Sequence, residues 1–110
     1  MRHDDLYLAD IIEAAEAIEK FLHGVKREDF IGNDLLRSAV LQKLSIIGEA
    51  AARVSRDLQS RYPEIEWADI VGFRNIAIHA YFAVDWSIVW TAATHDAPDL
   101  KRKITKILGH

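Results

Sequence analysis

Arg74, Asn75, His79 and Tyr81 fall inside one otherwise apolar segment, Gly72-Phe73-Arg74-Asn75-Ile76-Ala77-Ile78-His79-Ala80-Tyr81-Phe82. An arginine stays cationic at any ordinary pH. A histidine, with an unperturbed pKa of about 6.5, exchanges protons near neutrality. A guanidinium that forks onto a phosphate beside an imidazole that moves a proton is the minimum set for cutting a phosphodiester without a metal. No other segment of the 110-residue chain groups polar chemistry so closely.

The spacing constrains how such a pair can work. On an ideal helix a five-residue step turns by about 500°, leaving positions 74 and 79 about 140° apart around the axis and about 7.5 Å along it. They do not stack on one face as an i, i+4 pair does. Either the helix loosens before His79, or the two groups serve a site built from two chains, which predicts a symmetric dimer with this segment near its axis. A structural reading stands beside the chemical one. A histidine among aromatics is commonly a hydrogen-bonded core residue, and an arginine commonly caps a helix or pairs with an acid. Glu49 is a candidate partner for Arg74, and on residue type alone it reads equally as a solvated carboxylate.

The elements that position these groups read as helices throughout. Asp4 or Asp5 is expected to cap a first helix, in which Leu8, Ile11, Ile12, Ala15, Ile18 and Leu22 recur at three- and four-residue spacing and Gly24 marks the stop. Lys26 to Phe30 is a short helical turn, and Asn33 or Asp34 caps the next element. From Leu35 to about Leu58 a single long helix is expected, with Leu36, Val40, Leu44, Ile47, Ala51, Val54 and Leu58 on one stripe and Leu35, Ala39, Ile46 and Ala50 beside it. A stripe this broad faces more than one neighbour, as in a central helix or one that also meets a second subunit. Gly48 inside it costs about 1 kcal/mol relative to alanine, and close helix approach is the expected return. Tyr62-Pro63 ends this helix, and Glu66 to Ile78 forms a third with the polar segment at its C-terminal end. Asp85 caps a fourth from Trp86 to about Thr94, with Ile88, Val89 and Trp90 inside, and Asp96-Ala97-Pro98 starts a fifth. The fold class is therefore all-α, a largely antiparallel bundle of about four to five helices in one domain, 1–110.

Composition closes off other functions. Half the residues are hydrophobic and 28% are charged, as in a folded globular domain. With no cysteine there is no disulfide, thiolate metal site or cysteine nucleophile. The five histidines lack metal-ligand spacing, Asp4, Asp5 and Asp10 lack a ligand loop, and the glycines form no phosphate loop. A net charge of −3 argues against a broad basic platform for nucleic acid but leaves room for a small cationic site. Lys101, Arg102, Lys103 and Lys106 form the one basic run, which complements the end of its helix or guides RNA. The polar opening Met1-Arg2-His3-Asp4-Asp5 is unlike a signal peptide, and no apolar run approaches the roughly 20 residues of a membrane span, so a cytoplasmic location is expected.

Arg74, four residues, His79, one residue and Tyr81 together resemble the signature of the HEPN superfamily, and in particular its HepT-like branch. Tyr7-Leu8-Ala9-Asp10-Ile11, Ile47-Gly48-Glu49-Ala50, Trp67 to Asn75 and Val84-Asp85-Trp86 extend the likeness over roughly Asp4 to Leu108. The resemblance implies the HEPN helical bundle, a homodimer with a composite active site, and the toxin of a HepT/MntA type toxin–antitoxin module. That toxin would be a metal-independent endoribonuclease acting on RNA without a cofactor. By position, Arg74 and His79 are the implied catalytic pair, with Asn75 and Glu49 supporting. Tyr81 matches the tyrosine to which an MntA-like minimal nucleotidyltransferase antitoxin transfers AMP, silencing the toxin. Two other readings carry different expectations. A non-catalytic nucleotide- or RNA-binding module keeps Arg74 for phosphate and His79 for structure. A scaffold for the nucleotidyltransferase needs neither.

Overall fold

The computed structural model describes residues 2–79 and 85–109. Among the described residues the chain is helical with no strand. Helix α1 spans Arg2–Leu22, α2 Arg27–Ile31, α3 Asp34–Arg53, α4 Arg56–Arg61, α5 Trp67–Val71, α6 Phe73–His79, α7 Trp86–Thr91 and α8 Ala97–Leu108. A π-helical turn, Ala92–Asp96, joins α7 to α8.

Two long helices carry the core. The stripe on α1 buries Leu8, Ile11, Ala15 and Ile18 against Val40, Leu44, Ile47 and Ala51 of α3, and Ile104 of α8 is buried with them. Gly24 (φ 74°) turns the chain out of α1 in the left-handed region that glycine enters without a Cβ clash. Asn33 caps α3 by accepting from the Leu36 N–H at 3.0 Å. The start of α1 meets the end of α3, so the two run antiparallel.

That meeting corrects one expectation. Asp4 lies inside α1 rather than capping it, and it is buried with 3% of its surface exposed. Its carboxylate accepts from the Ser55 N–H at 2.8 Å and from Ser55 Oγ at 2.7 Å. Ser55 in turn accepts from the Leu58 N–H and so starts α4. Here the expected helix from Leu35 to Leu58 is cut in two: Val54 and Ser55 take extended backbone angles, and two partly buried hydrogen bonds to Asp4 hold Ser55 there. Burial works against the Asp4 carboxylate, but the hydrogen bonds from Ser55 outweigh it and hold its pKa below the ordinary aspartate value.

Other expectations shift for local reasons. Gly72 separates α5 from α6 where one helix is expected. Asp96 stays helical and makes no capping bond, because the wide π turn carries the chain through instead of breaking it. Leu35 and Ile88, expected on packed faces, are 79% and 60% exposed. Asp85 does cap α7, accepting from the Ser87 N–H at 2.9 Å. Phe30 of α2 packs on Trp86 and Trp90, with ring centroids 6.2 and 5.4 Å away, while the Arg37 guanidinium lies 4.9 Å over Trp86 and Arg27 donates to Ser87. This clasp fixes α7, the first helix beyond the polar segment.

The contact that positions the site is between α3 and the α5–α6 junction. A Cβ placed on Gly48 would lie 2.6 Å from the Arg74 amide nitrogen and 3.0 Å from Val71 O. Only a glycine lets the two backbones pass this closely, so the close approach expected of Gly48 is what the fold uses.

These contacts set two stability outcomes. Gly48→Ala gains about 1 kcal/mol of helix propensity but drives Cβ into backbone that cannot rotate away. Overpacking of this kind costs about 1–3 kcal/mol, so urea unfolding is expected to show a net loss; equal or greater stability would contradict the contact. Asp4→Ala removes a charged acceptor from the two Ser55 donors and is expected to cost about 1.5–3 kcal/mol at neutral pH. Because the folded pKa is depressed, the advantage of the wild type should be fully present above the ordinary carboxylate pKa of about 3.9 and fade as pH falls through the lower folded value. Unfolding curves of both proteins from neutral to strongly acidic pH give this difference directly.

Candidate functional site

The site is built where α3 and α6 cross. Gly48 brings the first turn of α6 against α3, and the next residue, Glu49, then stands beside Arg74. Arg74 Nη1 donates to Glu49 Oε1 at 3.4 Å, with side-chain exposures of 37% and 47%. An ion pair this wet contributes about 0–1 kcal/mol. It therefore orients the guanidinium without consuming it. A phosphate offering two oxygens in a bidentate contact competes well against one long bond to a carboxylate. Of the two readings open for Glu49, the structure selects the partner of Arg74.

Arg74 sits in the first turn of α6, on the end anchored by buried Phe73 and packed Ile76. Asn75 is exposed, and its side-chain amide makes no hydrogen bond among the described residues. The α6 backbone remains helical through His79. The helix thus does not loosen before that position, and residues 74 and 79 keep the separation of about 140° around one axis. Tyr81 lies outside the described residues. The structure brings Glu49 and Arg74 together and places exposed Asn75 next to them.

The two other sites that could bear on a phosphate are the basic run of α8 and a cavity beside it. The basic run on α8 is largely spent: Lys101 bonds Glu19 at 3.1 Å and Glu16 at 3.6 Å, Arg102 bonds Asp99 at 2.6 Å, and Lys103 bonds Asp99 at 3.1 Å. A cavity of about 140 Å³ between α5, the π turn and α8 is rimmed by Glu66, Asp69, Asp96 and Asp99. There a hydrogen bond shared with Asp69, and repulsion from the same carboxylate, raise the pKa of Glu66. An acidic rim repels phosphate. No group of carboxylates and histidines among the described residues is arranged to hold a metal ion. None of the described helices is long and apolar enough to cross a membrane.

Between α1 and α3, next to Glu49, lies a groove that sequence patterning does not single out. Tyr7, Ile46 and Ala50 form its floor, and Asp10, Glu49 and Arg53 its rim. The breadth of the α3 stripe, visible in Ile46 and Ala50, is one signal, and the blocks Tyr7 to Ile11 and Ile47 to Ala50 that carry the family likeness are another.

Comparison with known proteins identifies the lineage. A family model described as Ribonuclease HepT-like matches residues 11–107. A Thermococcus cleftensis protein named "Probable ribonuclease HepT" is 41% identical over 105 residues, covering 96% of this chain and 94% of its own. "Putative RNase MJ1380" of Methanocaldococcus jannaschii is 36% identical over 98 residues, covering 89% and 90%. A longer protein of the same archaeon, "Gamma-glutamylcyclotransferase and putative RNase MJ0434", is 35% identical over 109 residues, which make up 98% of this chain and 49% of that one. No solved structure matches significantly. With the family match running from the middle of α1 through α3, the Arg74 segment and most of α8, and the first two of these relatives aligned over nearly their full length, this chain belongs to the HepT-like ribonuclease family of the HEPN superfamily.

Proposed function

We propose that the protein is the toxin of a HepT/MntA type module, a metal-independent endoribonuclease whose active site is completed by a second copy of the chain. The observation that carries the reading is Arg74, held in place by backbone packing at Gly48 yet tied to only one half-exposed carboxylate. Family membership and the names of its relatives support RNA as substrate.

In the proposed reaction the ribose 2′-oxygen attacks the adjacent phosphorus and the 5′-oxygen leaves, giving a cyclic phosphate and a free 5′-hydroxyl. Arg74 grips the phosphate and stabilises the charge that builds on its oxygens, a task suited to fixed donors. His79 takes the 2′ proton or gives a proton to the leaving oxygen. One chain supplies one histidine and a symmetric dimer supplies two, so base and acid can act together. The angular separation of positions 74 and 79 on an unbroken α6 favours sharing between chains over a site within one chain. Glu49 orients Arg74, and exposed Asn75 is free to bond the phosphate or the histidine.

Tyr81 is the proposed control point. Its phenolic oxygen attacks the α-phosphorus of ATP on an MntA-like minimal nucleotidyltransferase, pyrophosphate leaves, and the phenol loses its proton. The AMP so attached, two residues from His79, adds bulk and negative charge where the RNA phosphate must sit.

RNA cleavage in excess EDTA tests the core of this reading. Unmodified wild-type protein is expected to cut. His79→Ala should lose about 10²–10⁴-fold in rate. Arg74→Ala should lose about 10²–10³-fold. Folded protein that binds RNA without cutting it would move the assignment to a binding module. An RNA carrying 2′-deoxyribose at the cut position should survive, and its cleavage at the normal rate would exclude attack by the 2′-oxygen.

Tyr81→Phe is expected to keep the nuclease and escape the antitoxin. With ATP and the nucleotidyltransferase, wild-type protein should gain the mass of AMP and the variant should not. Mass addition to the variant would place the modification elsewhere.

A further inference from the structure

We infer that the groove between α1 and α3 seats the nucleotide flanking the scissile phosphate, with Tyr7 as the platform for its base and Arg53 as the contact for the next phosphate. The inference rests on the ribonuclease reading and deepens it. Three observations carry it.

The groove is continuous with the site, because Glu49 both lines the groove and bonds Arg74. Its floor is aromatic and aliphatic: Tyr7 is half-buried against the core, and Ile46 and buried Ala50 extend the surface. A flat apolar floor beneath open solvent suits an unstacked base, which keeps its polar edge wet while its face is covered. Arg53 stands one helical turn beyond Glu49, about 6 Å along α3. It is exposed and forms no ion pair among the described residues, unlike Lys101, Arg102 and Lys103 of α8. That offset from Glu49, the partner of Arg74, is of the order of the distance between neighbouring phosphates on an extended strand.

The carboxylates fit the same occupant. Glu49 is offset by Arg74. Asp10 at the opposite rim is left to accept from the amino or imino groups that nucleobases carry on their edges. An inorganic anion alone would use none of the floor.

The test is fluorescence anisotropy with a single-stranded, mixed-sequence RNA methylated at every 2′-hydroxyl, so that binding is read without cleavage. Circular dichroism and sedimentation establish that each variant is folded and has the wild-type oligomeric state. Tyr7→Ala is expected to weaken binding between about 5-fold and 100-fold, the range of one lost base–aromatic stack, while Tyr7→Phe stays within about twofold. Arg53→Ala should weaken binding and lower the salt dependence by about one counterion, while Arg102→Ala on α8 changes neither. Wild-type binding that Tyr7→Ala and Arg53→Ala leave intact would overturn the groove and keep the ribonuclease reading. A change of oligomeric state in Arg53→Ala or Tyr7→Phe would overturn it in favour of a contact between chains. Failure of the wild type to bind any RNA would remove the reading on which the inference stands.

Discussion

The passage of two backbones at Gly48 is the constraint on which the rest of the site depends. With a Cβ 2.6 Å from the Arg74 nitrogen ruled out, position 48 must be bare, and α6 can then start directly on α3. Backbone contact is a stiffer positioning device than side-chain packing, because neither partner has a rotamer to change. The first turn of α6 is therefore located by main-chain sterics, and Arg74 inherits that placement. Glu49 inherits it as well, being the neighbour of the glycine. The half-exposed ion pair between them is a consequence of the crossing rather than its cause.

This order of causes shows how a chain of net charge −3 could accommodate the proposed phosphate site. Most of the cations of α8 are cancelled locally: Lys101 by Glu16 and Glu19, Arg102 and Lys103 by Asp99. Arg74 is offset too, but by one carboxylate at 3.4 Å that is itself nearly half exposed. Such a pair is screened by water and salt and contributes little to stability. The guanidinium can exchange its partner at small cost, while the backbone that carries it stays fixed. Affinity from one or two fixed cations suits recognition of a single phosphate more than retention of a long polyanion.

Much of this is legible in the sequence, and the failures are physical. Periodicity finds the core of α1 and α3, and Asn33 and Asp85 declare themselves as caps because a short polar side chain before an apolar run has few other uses. Gly48 and Glu49 both stand out by residue type and place, the one as a glycine within a helix and the other as an acid able to meet Arg74. Asp4 defeats the capping rule because that rule is local, whereas its partner Ser55 lies 51 residues away. The same long-range bond hides the break between α3 and α4, since the apolar stripe runs through Val54 to Leu58 without losing phase. The π turn after α7 escapes notice for the opposite reason: Asp96-Ala97-Pro98 looks like a fresh start, but a proline in the first turn of α8 is equally tolerated when the preceding turn widens. Leu35 and Ile88 obey the helical period yet stand in water, because periodicity assigns a face but not a neighbour.

The continuity of α6 links fold to proposed chemistry. Had the helix unwound before His79, one chain could have turned both groups toward one phosphate. An unbroken helix instead holds positions 74 and 79 about 140° apart, and no rotamer of a histidine removes an offset fixed by the backbone. Within the proposed two-chain site that offset becomes useful. A two-fold axis perpendicular to α6 would supply a second α6 running the other way, so each arginine could face the histidine of the partner while its own histidine faces the partner's phosphate contact. A rigid α3–α6 crossing is then a requirement rather than an ornament: a composite site accumulates positional error from both chains, and elements placed by direct backbone contact keep that error small.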